Sequence, residues 1–130
     1  MAVPVALQLS TIGQVSIRAR DIKRATDFYR NVMGMRFLSG TDSLSFFDCD
    51  GVRLMLDVPE GDRFDHPGSI IYYRVPDIQM ATEQLRERNV PVIGEPERIV
   101  SMPTHDLWMA FFEDTEGNVF SLMSEVPKGD

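Results

Sequence analysis

Cysteine occurs once in this chain, at Cys49, so no internal disulfide can staple the fold and stability must come from the core. Long apolar runs are missing too. Stretches such as Leu54-Met55-Leu56 fall far short of the roughly 18 residues that signal a bilayer span, and no membrane partner is expected. The opening Met1-Ala2-Val3-Pro4-Val5 has neither the basic start nor the apolar core of an export signal. With a single thiol, that makes a cytoplasmic location the expectation. Positive charge is short: 13 Lys and Arg against 20 Asp and Glu give a net charge of −7. That sign opposes binding to a phosphate backbone, so nucleic acid is not an expected partner. There is no Gly-rich phosphate loop and no recognisable Ser-His-Asp arrangement.

What is present is ordinary globular material: 130 residues, 43% hydrophobic and 25% charged, enough for one domain with a sizeable core. Self-comparison is more informative. Asp21-Ile22-Lys23-Arg24-Ala25-Thr26 returns as Asp77-Ile78-Gln79-Met80-Ala81-Thr82, each copy preceded at the same distance by Arg18 or Arg74. Asp48-Cys49-Asp50-Gly51 is echoed by Asp114-Thr115-Glu116-Gly117. Each copy opens with a β-prone run, Val15-Ser16-Ile17 or Ile70 to Val75, and an Asp then caps a helix. Ile22, Ala25, Tyr29 and Val32, widened by Phe28 and Met33, form one buried helical face; Ile78, Ala81 and Leu85 form the other. Gly34 and Asn89 mark the helix stops. Three strands follow in each copy: Met35 to Ser39, Leu44 to Asp48 and Val52 to Val58, then Arg98 to Met102, Leu107 to Glu113 and Val119 to Ser124. The last two of each set are joined by the acidic Gly turns, read as hairpins. The expected organisation is one domain: a module over residues 12–58, a linker over 59–68 and a module over 69–126.

This tandem β-α-β-β-β pattern resembles the vicinal oxygen chelate superfamily, which includes glyoxalase I, extradiol dioxygenases and bleomycin-resistance proteins. Its motifs are Asp21 to Met35, Asp77 to Leu85 and Asp114 to Leu122. The resemblance implies an α+β fold in which two modules form a curved mixed β-sheet cup with helices on the convex side, working as a homodimer. It also implies one metal ligand on the first and one on the last strand of each module, at Gln14, Met55, Ile70 and Ser121 here. An amide, a thioether, an alkyl group and a hydroxyl stand there in place of His or Glu, so neither metal nor another cofactor is expected.

Strand alternation sets Gln14, Ser16 and Arg18 on one face, with Arg53, Met55 and Asp57, then Ile70, Tyr72 and Arg74, then Val119, Ser121 and Met123. This mixed face suits a small organic ligand. The ligand-binding candidates are Gln14, Ser16, Arg53, Met55, Ile70, Tyr72, Arg74, Trp108, Ser121 and Met123. Arg18, Arg53 and Arg74 could fork an anion or form a solvated rim paired with nearby acids. Catalytic candidates are Tyr72, Arg74 and His105. In His105-Asp106 a carboxylate could fix the imidazole tautomer; adjacent strand residues point oppositely, however, and a loop histidine after Met102-Pro103 is the other reading. His66, in Asp65-His66-Pro67-Gly68, reads as a loop residue. Cys49 lies between two acids that raise a thiol pKa, which argues against a nucleophile. Asp57, Glu60, Asp62 and Asp65 could border the cup or simply be solvated. Two functions remain open: a metal-independent binder of the bleomycin-resistance type, or a lyase, isomerase or dioxygenase that is metal-free or uses displaced ligands.

Overall fold

The computed structural model describes Leu7 and residues 9–129. Strand β1 (Gln14–Arg18) leads through Asp21 into helix α1 (Ile22–Asp27), which continues as a π-helical turn over Phe28–Val32. Strands β2 (Arg36–Gly40), β3 (Leu44–Cys49) and β4 (Val52–Asp57) follow. The second half repeats the plan: β5 (Ile71–Arg74), α2 (Ile78–Glu87), β6 (Val92–Ser101), β7 (His105–Glu113) and β8 (Val119–Pro127). Each half forms a four-stranded sheet, ordered β1-β4-β3-β2 or β5-β8-β7-β6. The first strand of each half pairs parallel to the last, and the other pairs are antiparallel. The architecture is the expected α+β cup of curved mixed sheets. Among the described residues no helix is long and apolar enough to cross a membrane.

The local signals act as physical chemistry requires. Asp21 accepts hydrogen bonds from the Lys23 and Arg24 N–H groups, and Asp77 accepts from Met80 N–H, satisfying donors that a helix start leaves without internal partners. Gly34 and Asn89 both adopt positive φ, 74° and 63°, the left-handed geometry that ends a helix. The turn between β3 and β4 places Asp50 at φ 49° and Gly51 at φ 90°, as a tight hairpin requires.

The structure departs from the sequence reading at the starts of two strands and on one helix face. Strand β6 begins at Val92 rather than Arg98, and Gly94 and Pro96 lie within it because it is an edge strand whose register shifts absorb them. Strand β7 begins at His105, which overturns the loop reading of that histidine. On α2 the buried positions are Ile78, Thr82 and Leu85, while Ala81 is half-buried.

Helix-facing side chains of both halves share one core. Ile17, Ala25, Phe28, Tyr29, Phe47, Leu54 and Leu56 from the first half join Ile78, Leu85, Ala110, Phe112, Phe120 and Leu122 from the second. Phe28 meets Phe120 edge-on at 6.2 Å between ring centroids. Tyr29 has no exposed surface, and its hydroxyl donates to Asp114 at 2.7 Å.

The β7–β8 turn does more than reverse the chain. Glu116, its side chain wholly buried, accepts from the Arg20 and Asp21 N–H groups at 2.8 Å each, from Arg24 Nε at 2.8 Å and from the Thr115 hydroxyl at 2.7 Å. Asn118 Nδ2 donates to the Arg18 carbonyl at 2.7 Å. Burial alone raises the Glu116 pKa, but the Arg24 guanidinium, the Asp21 N–H, the Thr115 hydroxyl and the Arg20 N–H outweigh it and bring it down to about 2. The turn of one half is thus fastened to the helix start of the other.

Removing that carboxylate strands several donors, so Glu116→Ala is expected to cost about 2–4 kcal/mol in urea unfolding. Because the folded pKa lies below the usual 4.5, the charge contributes fully above pH 4.5, and its contribution is lost as pH falls toward 2. The stability gap between wild type and Glu116→Gln should therefore shrink over that window; a gap independent of pH between 5 and 2 contradicts the assignment.

Candidate functional site

The side chains opposite the helix-facing core include most of the sequence-derived candidates. On the first sheet, β1–β4 register sets Gln14 beside Arg53 and Ser16 beside Met55. Arg53 Nε donates to Gln14 Oε1 at 2.8 Å, and its guanidinium lies 5.5 Å from the Phe46 ring centroid, a cation–π contact. Gln14 Nε2 in turn approaches Met55 Sδ at 3.5 Å. The amide thus has both ends engaged. Arg18 forms an ion pair with Asp65 at 3.2 Å, so of the linker acids this one closes on the sheet.

The second sheet is more aromatic. Tyr72 and Phe111 are the cross-strand neighbours of Ser121, and their rings meet edge-on at 6.0 Å. Ser121 between them has no exposed surface, and its hydroxyl donates to the Ala110 carbonyl at 2.8 Å. In the next row Arg74, Met123 and Met109 are register partners. Glu125 then gathers Arg74 at 3.3 Å and His105 Nε2 at 4.0 Å, while His105 Nδ1 lies 3.1 Å from the Thr104 hydroxyl.

Most of the sequence-derived candidates therefore share faces: Gln14, Ser16, Arg53 and Met55 on the first sheet, Tyr72, Arg74, Ser121 and Met123 on the second. Ile70 lies just before β5 and is exposed, lining a small cavity with Ser16 and Val119. Trp108 is placed elsewhere. It alternates with Met109 and packs on the helix-facing core with Ala110 and Phe112, so the inclusion of Trp108 in the ligand set is corrected by strand parity. The His105-Asp106 pairing is corrected for the same reason: Asp106 points to the opposite face, with one carboxylate oxygen buried and unpartnered among the described residues. The acid that His105 does approach is Glu125. His66 stays in the exposed linker, where its ring Nδ1 lies 3.2 Å from the Pro67 carbonyl. Burial, then Asp48 and Asp50, raise the Cys49 thiol pKa, which keeps it protonated.

Phe46, Met109, Phe111 and Glu125 on these faces escaped the sequence reading. Glu125 was reachable from parity, since it lies two residues from Met123, and Met109 and Phe111 stand at even spacing from His105 on the same strand.

The four positions that the resemblance implies for a metal do not fit one. Gln14 is held by Arg53, Met55 offers a thioether, Ile70 an alkyl group, and the Ser121 hydroxyl is committed beneath the Tyr72–Phe111 pair. Among the described residues no three His, Cys, Asp or Glu side chains converge.

Solved structures share this architecture. A lactoylglutathione lyase from Agrobacterium tumefaciens superposes with a TM-score of 0.73 at 21% identity, over 90% of this chain and 95% of that one. A superfamily member from Sphaerobacter thermophilus DSM 20745 gives 0.74 at 26% identity, over 92% and 100%. TnmS3, an antibiotic binding protein from Streptomyces sp. CB03234, gives 0.70 at 24% identity, over 95% and 100%. The model of one family covers residues 11–122. With the repeated strand-helix-strands plan, the parallel pairing of the first and last strand of each half and that match in hand, the chain belongs to the Glyoxalase/Bleomycin resistance protein/Dioxygenase superfamily.

Proposed function

We propose that this protein is a metal-independent small-molecule binder of the bleomycin-resistance type, acting as a cytoplasmic homodimer without a cofactor. The observation that carries this reading is the second sheet face. Where the superfamily places a metal ligand, Ser121 is sealed under the Tyr72–Phe111 pair, leaving an aromatic and thioether surface with Met109 and Met123 behind it. Such a surface gains affinity by burying an apolar, planar body. Thioether side chains adapt to varied outlines. Arg74, already steadied by Glu125, can exchange that partner for an anionic group on a ligand. The antibiotic binding protein of the same fold supports the reading in that this scaffold serves small-molecule binding there.

A second reading, an enzyme of the superfamily, is favoured by one observation. The Glu125–His105 contact is on the face that bears Tyr72 and Arg74, and a carboxylate that orients an imidazole suits general base work. Turnover of a bound compound, lost in His105→Ala while binding persists, would decide for it.

Binding is checked with a panel of planar aromatic compounds by thermal shift, since saturation a hundredfold above the dissociation constant adds about 2.7 kcal/mol of stability. For compounds that bind, Tyr72→Ala should weaken affinity by about 1–3 kcal/mol, and Arg74→Ala should matter only for anionic ones. His66→Ala should have no effect; if it alone abolishes binding, the face is misassigned. Elemental analysis of protein purified without chelator should show no stoichiometric transition metal. One metal per chain, lost on Gln14→Ala, would overturn the metal-independent reading.

A further inference from the structure

A quarter of all residues in this chain are charged, yet a cavity of about 190 Å³ beneath the linker has, among the described residues, no charged side chain on its walls. Its floor is made of core side chains that the ligand-facing sides of the sheets do not use: Ile17, Tyr29 and Phe120, all buried. Linker residues 67–69 form the roof. The Arg18–Asp65 ion pair holds the linker to β1 just before them, and a Cβ at Gly68 would lie 3.9 Å from the Ser16 carbonyl. Ile70 and Val119, 42% and 38% exposed, stand at the mouth.

The polar side chains at the floor are already engaged. The Tyr29 hydroxyl donates to Asp114, and Asn118 Nδ2 donates to the Arg18 carbonyl and to Asp114. Ser16 and Ser69 are exposed and belong to the rim. A charged group pressed against this floor would lose its hydration and meet no counterion. An apolar group would lose only its contact with water. The volume suits a compact body, since a cavity of about 150 Å³ lined by aliphatic and aromatic side chains stays dry and takes benzene.

We propose that this cavity binds a neutral, compact apolar group, a single aromatic ring or a branched alkyl chain, beneath the linker. The assignment rests on the reading of the chain as a small-molecule binder and narrows the ligand class. An uncharged ring or alkyl end is taken in here, and any anionic group is left to Arg74 on the open face.

Toluene, benzoate and benzylamine share one ring and differ in charge, so they test the class directly. Ile17, Ile70 and Ile71 line the cavity, and their δ1-methyl NMR signals in the full chain report its occupant. Toluene should shift all three saturably and leave Ile93 and Ile99, on β6, unmoved. Benzoate and benzylamine should bind at least tenfold more weakly. Val119→Trp and Ile70→Trp, each placing an indole at the mouth, should weaken toluene at least tenfold, while Met80→Trp on the exposed side of α2 should change it less than twofold. The proposal is overturned by the absence of any saturable shift up to the solubility of toluene, by equal affinity for benzoate, or by toluene binding that ignores both mouth variants. Shifts at Ile12 and Ile71 without Ile17 also overturn it, because they put the ring in the larger cleft of about 940 Å³ at the open seam between the halves. In each of these cases a planar compound whose binding needs Tyr72 keeps the small-molecule reading. Toluene behaving as expected, with no planar compound bound, supports the cavity and removes the aromatic face instead.

Discussion

The Glu116 carboxylate is the point on which the relation between the two halves depends. Four groups from the first half or its own turn converge on it, and one of its backbone donors, the N–H of the N-cap Asp21, is one that the start of α1 cannot satisfy alone. Helix α1 spans only six residues before its π-helical turn, too short to be stable by itself. Its position is therefore set by what holds its first turn and its buried face. Glu116 provides the first and the Phe28–Phe120 contact the second. Asp114, accepting from Tyr29 and from the backbone of its own turn, joins the two. A charge placed this deep is tolerated because every approach to it is occupied by a donor.

The repeat is sequence-deep but chemically unequal. The corresponding turn in the first half carries Cys49 and Asp50, which border the open seam instead of filling it. The ligand-facing sides have diverged in the same way. The first presents a polar row in which Arg53 and Gln14 hold one another, and the second presents an aromatic pair over a sealed serine. A duplicated scaffold can thus keep its backbone while each copy takes a different task, and here the copies differ most at the positions where a metal site would need them alike.

Much of this was legible in the order of residues. Asp21 and Asp77 as caps, Gly34 and Asn89 as stops, and the two Gly turns are local devices, so local sequence announces them. Strand parity likewise separated Tyr72 and Arg74 from Tyr73. The misses have a common origin. Trp108 and Asp106 were grouped with His105 by proximity along the chain, yet a strand sends neighbours to opposite faces. Strand β6 runs through Gly94 and Pro96, residues that disfavour central strands, and nothing local says that this strand lies at an edge. Glu116 read as one more turn acid because its partners are more than ninety residues away. Long-range partners of that kind become visible only once the chain is folded.

The π-helical turn over Phe28–Val32 has a consequence for how this sequence can change. Its wider winding, closed by the Met33 N–H bond to the Phe28 carbonyl, lets two adjacent aromatics, Phe28 and Tyr29, both reach the core. One residue fewer in this segment would restore regular α-helical winding, and each residue of an α-helix advances the face by about 100°. The downstream stop at Gly34 and the entry to β2 would then be out of phase with the helix. Insertions and deletions, commonly absorbed by surface loops, are here constrained inside a helix, so the length of residues 22–34 should be far less variable among descendants of this chain than the length of its linker.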